Sequence, residues 1–556
     1  MNPTKIILFI AGVFVFTKAA QFFMVVKALL NLRFRKADGE IKQPNELPGY
    51  LEKLLPRYDI KLNNLGFSLS HLHLLNTCIV SNFSQQWNIV YWNENNNCYA
   101  NVTISPMPER HAPVKVEFNN IFSDNSRLVT QNGTESFIIG QAPNLILYDP
   151  CVATLEQQYM AHTEKLKSLN RVSIQLNPQD YLTSEIQANN DYFSYLEQAG
   201  YLKSQDETIK QLRLLPAIKQ AFKILRGTKK RKALRAAQLK AAGTEKTEPI
   251  EIPVEAEVEA YLRMEDLHKP TGSGISWKLI VFLISLIMGI AIFGIASSFS
   301  VALFVIVALI VHELGHYIAM AIFGYSDRQI VFLPFGAATL GKKTDAKALQ
   351  EAIVCLSGPA LGLIAGTICM IVSVRTGVKS LSFGGVLFLI LNYINLLPIV
   401  PLDGGRLFEL ALFSRVPVLK SIFLIVSLSV MAIAAILLKD PILIFFSIFM
   451  IIGVRTQILI NAAHSKIKKQ IKTRQIQLDK ESLLPEIFRV LKQKAFTKHT
   501  FNQKYAVSKN LLSGLMQKPP GLGETIASLV LYFVVITLPA LITIPTIIFL
   551  HLKNSI

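Results

Sequence analysis

The chain has 556 residues, 51% of them hydrophobic, and its mean hydropathy is +0.37. A soluble globular protein reaches an apolar share of about 45–50% only when glycine is counted, so this composition excludes an ordinary soluble enzyme and implies several membrane spans. The formal charge of +19 is concentrated beside the apolar runs and comes without an aromatic-basic RNA signature, which favours an anionic membrane surface over nucleic acid.

Residues 6–30 form an apolar run, interrupted by Lys18, that is long enough to cross a bilayer of about 30 Å. A signal peptide with Lys5 as its basic start is the competing reading. The uncleaved anchor is preferred, because apolar residues resume after Ala20 and the cluster Arg33, Arg35 and Lys36 follows. By the positive-inside rule the next domain is cytoplasmic. That domain, residues 37–243, reads as α+β, with strands at 87–92, 98–105, 114–122, 136–139 and 145–148 and helices afterwards. His71 and His73 alternate as on a strand and have no further ligand pattern nearby, so they read as ordinary histidines. Asn82, Asn101 and Asn132 open glycosylation sequons, which have no meaning on the cytoplasmic side. The five cysteines form no CxxC pair and suggest no disulfide framework.

Residues 212–240 are basic and amphipathic, with Leu215, Ile218, Phe222 and Leu225 on one face. Two readings stand: a helix lying on anionic lipid, or a solvated helix that packs this stripe on its own domain. Residues 244–274 are acidic at first, contain proline and read as a linker. Apolar runs then follow at 279–296, 299–323, 352–374, 383–401, 422–438, 441–454 and 526–550, which with the anchor makes about eight spans. With the N-terminus outside, the heavily basic connections all fall on the cytoplasmic side, including the long basic segment at 461–525.

The run 299–323 contains His312-Glu313-Leu314-Gly315-His316. Ionisable residues inside a span cost roughly 2.5 kcal/mol or more each and are read as functional. On a helix His312 and His316 share a face one turn apart, so both imidazoles reach one metal ion, while Glu313 stands about 100° around, near a metal-bound water. This is the HExxH arrangement of zinc peptidases. A third protein ligand is then needed, with one position left open. Asp403 is the candidate, in Asn395-Leu396-Leu397-Pro398-Ile399-Val400-Pro401-Leu402-Asp403-Gly404-Gly405, where two prolines break the helix and two glycines permit a sharp turn.

Together these motifs resemble the site-2 proteases, the intramembrane zinc metalloprotease family. The resemblance implies one Zn²⁺ held by His312, His316 and Asp403, with Glu313 as catalytic base and Asn395 positioning substrate or stabilising the oxyanion. Ser357-Gly358-Pro359 and Leu333-Pro334-Phe335-Gly336-Ala337 also resemble family features. Departing from some bacterial members, the chain shows no PDZ-like insertion between the two motifs. The expectation is thus a polytopic α-helical membrane protein with a site-2-protease-like core at 275–460, an anchor at 1–36, an α+β domain at 37–243 and a C-terminal span within 526–556. It would cleave transmembrane protein substrates within a bilayer, bind no nucleic acid, and sit in a bacterial inner membrane. A silent zinc-binding scaffold and a metal-ion transporter are the rival readings. A second HExxH-like element, which a repeated transporter half would carry, is not found in the sequence. A prenyl-type membrane protease would take a glutamate as third ligand, and Leu402-Asp403-Gly404 speaks against it.

Overall fold

Strict alternation of side chains builds the first part of the chain. In β5 (Gln85–Asn93) and β6 (Cys98–Glu109), Ile89, Tyr91, Cys98, Ala100 and Val102 enter one core, while Val90 and Tyr99 enter another. A strand points successive side chains to opposite faces, so a sheet with this pattern is covered on both sides. The computed structural model describes residues 3–80, 85–109, 112–133, 138–204, 208–244, 252–267, 275–296, 299–333, 336–343, 346–414, 416–439, 441–496, 499–517 and 519–555. It divides into two units, Ala20–Thr271 with Lys498–Tyr505, and Met1–Ala19 with Gly272–Thr497 and Ala506–Ile556.

The apolar helix α1 (Pro3–Leu30) precedes β1 (Arg33–Phe34), β2 (Asp38–Lys42), the short helices α2 (Gly49–Glu52) and α3 (Pro56–Asn64), β3 (Ser68–Asn76) and β4 (Ile79–Val80). After β5 and β6 come β7 (Ala112–Ile121), β8 (Arg127–Thr130), β9 (Leu145–Tyr148), α4 (Leu155–Leu169), α5 (Pro178–Gln198), β10 (Leu202–Ser204) and β11 (Lys210–Leu212). Seven strands form one sheet in the order β2-β3-β5-β6-β7-β8-β9, antiparallel except for the parallel pair β8–β9, and β10-β11-β1-β4 form a smaller one. Leu51, Leu62, Phe67 and Phe118 fill the core on one face of the large sheet, with Tyr159 of α4 against them, and Tyr181 of α5 closes the other. Of the expected strands, 136–137 lie outside the described residues, and Ile138 and Ile139 are not in a strand.

Two polar clusters are buried in this unit. Glu185 of α5 accepts from His73 Nε2 at 2.9 Å and from Asn101 Nδ2 at 2.8 Å, with the Arg127 guanidinium 3.9 Å away. Burial alone would raise the Glu185 carboxyl, but His73, Arg127 and Asn101 outweigh it and hold the group down at about 2. His73 is therefore a structural partner, and Asn101, buried and bonded to Glu185, is no acceptor for a glycan. In the second cluster His162 lies between Thr130 Oγ1 (2.7 Å), Asn120 Oδ1 (2.6 Å) and Cys98 Sγ (3.3 Å). These are the residue types of a cysteine-protease triad, yet Cys98, Asn120 and His162 are wholly buried. Desolvation pushes the Cys98 thiol well above its ordinary range and His162 down to about 3, which leaves an inert thiol beside a neutral imidazole.

α6 (Leu214–Thr244) and α7 (Val254–Leu267) complete the unit. The stretch expected to be a linker thus carries a helix. Ala256, Ala260 and Tyr261 of α7 are buried, and its buried Glu257 pairs with Lys504.

The other unit continues with α8 (Ile275–Ala296), α9 (Phe299–Ile322), β12 (Ser326–Leu333), β13 (Gly336–Lys342), α10 (Ala348–Thr376), α11 (Lys379–Asn395), the short α12 (Asp403–Phe408), α13 (Pro417–Leu437), α14 (Pro441–Arg474), α15 (Lys480–Leu491), α16 (Phe501–Met516, whose residues up to Tyr505 belong to the first unit) and α17 (Leu522–Ser555). All eight expected apolar runs lie wholly or mostly on helices. Among the described residues, however, six stretches are long and apolar enough to cross a membrane, on α1, α9, α10, α13, α14 and α17. α8 offers a shorter apolar stretch, Lys278–Ala291, and α11 has 17 residues. α11 stops at Asn395 rather than near Pro401 because Pro398 and Pro401 lack the N–H that a continuing helix needs. α14 runs on without a break into the basic segment, whose α15 buries Leu483, Leu484, Ile487 and Phe488.

Candidate metal centre

α9 sets His312 and His316 one turn apart, and both rings are buried. His316 Nδ1 lies 2.7 Å from the Val354 carbonyl of α10, an acceptor only, so this nitrogen carries the proton. His312 Nδ1 lies 2.7 Å from Asn392 Oδ1, and Asn392 Nδ2 donates to the Phe388 carbonyl at 2.7 Å, which fixes the amide with its oxygen toward the imidazole. Both rings therefore turn an unprotonated Nε2 into the same gap.

Asp403 meets them there. Its Oδ2 stands 3.1 Å from His312 Nε2 and 3.3 Å from His316 Nε2, and the two Nε2 atoms are 3.2 Å apart. Three lone-pair-bearing atoms this close repel one another unless a cation lies among them. Their spacing is that of the edges of a tetrahedron, about 3.3 Å, whose centre is about 2.0 Å from each ligand, the ordinary length of a bond from Zn²⁺ to nitrogen or oxygen. The donor set fits that ion, and the fourth corner is left to water or substrate. Among the described residues, this is the one group of three such side chains positioned to hold a metal.

The backbone makes the convergence possible. A Cβ at Gly404 would fall 2.1 Å from the Leu396 carbonyl oxygen and one at Gly405 2.3 Å from the Ile399 carbonyl carbon, so the turn folds back on itself only with glycine there. Asp403 is thereby placed in the first turn of α12, facing the bundle. On α10, Gly358 and Gly362 form a bare stripe one turn apart. A Cβ would come 2.3 Å from His316 Nε2 at the first position and 2.1 Å from the Asn392 amide at the second. At the same crossing, a Cβ on Gly315 of α9 would meet the Ser357 carbonyl at 2.2 Å. Small residues that let backbones touch are the usual means of close helix packing in membranes.

Glu313 stays out of the ligand set. Its buried Oε2 is 2.6 Å from Thr339 Oγ1 on β13, and that hydroxyl also lies 3.0 Å from the Glu313 carbonyl. Asn395, one turn beyond Asn392, donates its amide to the Leu391 carbonyl at 3.0 Å. Asn392, Thr339 and Gly362 were not singled out in the sequence, whereas Gly358 stood in the Ser357-Gly358-Pro359 resemblance. Asn392 carries the signal that drew attention to the histidines, a polar group inside an apolar run, but the neighbouring Asn395 carries it too. Gly358 and Gly362, with Gly366 after them, were visible as a four-residue repeat.

Residues 298–380 match the model of peptidase family M50. That stretch contains His312, Glu313 and His316, while Asp403 lies beyond it. The chain is also 30% identical over 186 residues to a zinc metalloprotease of Methanocaldococcus jannaschii, an alignment covering 31% of this chain and 54% of the relative. It thus spans about half the length of the curated relative. Among solved structures it resembles a site-2 protease from the same organism, with 24% identity, a TM-score of 0.24, and coverage of 33% of this chain and 88% of that one. The resemblance to site-2 proteases read from the motifs is supported by the family and sequence matches, and among the described residues six stretches are long and apolar enough to cross a membrane.

Proposed function

We propose that the protein is a zinc-dependent endopeptidase that hydrolyses a peptide bond in or beside the transmembrane segment of membrane-protein substrates. The observation that carries this reading is the convergence of His312, His316 and Asp403 within 4.8 Å in a buried site, with the Glu313 carboxylate held beside it. Zn²⁺ bound by these three residues supplies a Lewis acid that polarises the scissile carbonyl and makes water acidic enough to attack near neutral pH.

The remaining steps belong to side chains. Glu313 takes a proton from the attacking water as the new C–O bond forms, and returns it to the amide nitrogen as the C–N bond breaks. The Thr339 hydroxyl anchors Oε2, so the carboxylate presents its other oxygen to the water. Asn392 and the Val354 carbonyl hold the two imidazoles in the ligating tautomer. Asn395 is assigned the part of oxyanion donor, by the resemblance alone.

A substrate helix hides its scissile amide in its own hydrogen bonds and must unwind first, and β13 offers replacement partners. The Phe332 N–H donates to Ser285 Oγ on α8 and so points away from β13. Phe332 faces Ala337 and Ile330 faces Thr339. In an antiparallel pair, opposite residues alternate between bonding each other and pointing outward, so Ala337 and Thr339 turn their backbone groups to the outer edge. A substrate strand added there would run past the residue that anchors Glu313. We place the enzyme in a bacterial inner membrane with residues 37–243 on the cytoplasmic side, a reading supported by the basic connections.

The test compares source-cell membranes carrying the wild-type protein or Glu313→Gln by terminal-peptide mass spectrometry. Single-span proteins should accumulate uncut only with the variant. Identical peptide sets under several stresses would refute proteolysis and turn attention to zinc flux.

A further inference from the structure

We propose that α6 is an in-plane interfacial helix that binds anionic lipid headgroups. Nine of its 31 residues are Lys or Arg and none is Asp or Glu. At about 100° per residue the helix has three distinct sides. Ala217, Gln220 and Ala221 lie on one side and are buried in the domain. Leu215, Ile218, Phe222 and Leu225 form a second, and the domain leaves it open, with Leu215 71% and Phe222 52% exposed. Lys219, Lys223, Arg226 and Lys230 line the third, along one flank of the apolar stripe; all four are exposed, and Lys223 and Lys230 also donate to the Ile138 and Asp149 carbonyls at 3.3 and 3.4 Å. The small-residue side is thus the buried one, while Leu215 and Phe222 stay exposed and Ile218 and Leu225 half-buried, which favours the lipid reading of this segment.

The position of the stripe identifies its occupant. Phe222 packs against Phe22 of α1, with ring centroids 4.6 Å apart and the rings tilted by 41°. The candidate span on α1 ends at Leu30, so Phe22 sits about 12 Å along the axis from that end. Arg33, Arg35 and Lys36 follow it in the chain. The open stripe is thus held against the second half of a membrane helix, with the Phe222 ring a little deeper than the roughly 5–10 Å to which interfacial helices bury their apolar faces. Cations along one flank then lie among phosphates. A nucleic acid would engage the cations and leave Leu215 and Phe222 in water.

The full-length protein in nanodiscs, of phosphatidylcholine alone or with phosphatidylglycerol, tests this by hydrogen–deuterium exchange. Amides of 214–231 should exchange at least about tenfold more slowly in the anionic discs, and 0.5 M salt should reverse much of that difference. Replacing Lys219, Lys223, Arg226 and Lys230 by Gln should abolish the lipid dependence while β5–β7 stay protected. Phe222→Gln should weaken protection in both kinds of disc. Equal exchange of wild-type α6 in the two lipids overturns the proposal, as does protection that appears only with an added oligonucleotide. If the quadruple variant also loses β5–β7, the wild-type lipid comparison decides.

Discussion

Gly358→Ala adds one methyl group and should nearly silence the site. The new Cβ would lie 2.3 Å from His316 Nε2, 2.5 Å from its Cε1 and 2.7 Å from its Cδ2, whereas ordinary contact begins at 3.4 Å. The ring must therefore give way by about 1 Å. It has nowhere to go, because Nδ1 is tied to the Val354 carbonyl at 2.7 Å and the residue is buried. α10 is pinned as well, since its Ser357 carbonyl already touches the Gly315 backbone of α9. A 1 Å error in a reacting array costs about 10² in rate, near 2.7 kcal/mol. Here the displaced atom is also a metal ligand, so zinc content should fall with turnover. The assay pairs elemental analysis of purified protein with cleavage of a substrate identified by accumulation in the Glu313→Gln strain. Gly453→Ala, where an added Cβ meets nothing within 4 Å, serves as the control. Wild-type zinc and wild-type rate in Gly358→Ala would refute the account of how α9 and α10 build the site.

Asp403→Ala should lose bound zinc and activity together, while Glu313→Gln should keep most of the metal and lose turnover, as measured by the same two assays. Asn392→Ala should lower zinc affinity about 10- to 100-fold, because His312 loses the acceptor that sets its tautomer, whereas Asn395→Ala should leave zinc binding intact in a chelator competition. Thr339→Val should lower kcat about tenfold at nearly constant KM, since it frees the Glu313 carboxylate without touching the ligands. The α+β unit should lose stability in acid. His162 and His71 are held down to about 3 and about 4 from 6.5, chiefly by burial, so the unfolded chain binds more protons below about pH 6.5 and stability falls as pH drops from there toward 3. Glu185, held at about 2 against 4.5, adds a further loss between those values. Exchange in β6 and β7, corrected for intrinsic rates, should rise across this window, and a flat profile from pH 7 to 4 would contradict the burial of neutral histidines.

Much of the site was legible because its signals are local. His312, Glu313 and His316 lie within two helical turns, where 3.6-residue periodicity alone sets which side chains share a face, and charge inside an apolar run marks function in any membrane helix. Asp403 required the rule that proline ends a helix and glycine permits a turn, together with the need of the HExxH pair for a third ligand. In the first domain β5, β6, β7 and β9 followed from period-two alternation, whereas β2 and β8 did not, and Ile138 and Ile139 form no strand. The span lengths were less legible, because apolar composition runs past the point where Pro398 stops α11.

Other features depended on which elements meet. Nothing in the order of residues shows that His312 would take Asn392 rather than Asn395, or that Glu313 would be anchored by a hydroxyl on β13. The amphipathic pattern of α6 was plain, yet the side that faces the domain is the alanine side, and only packing reveals that the leucine stripe is left over. The sequence by itself determined the chemistry, because donor atoms and helical spacing are properties of short segments. Tertiary structure decided tautomer, orientation and exposure, because each depends on an atom contributed by a segment far away in the chain.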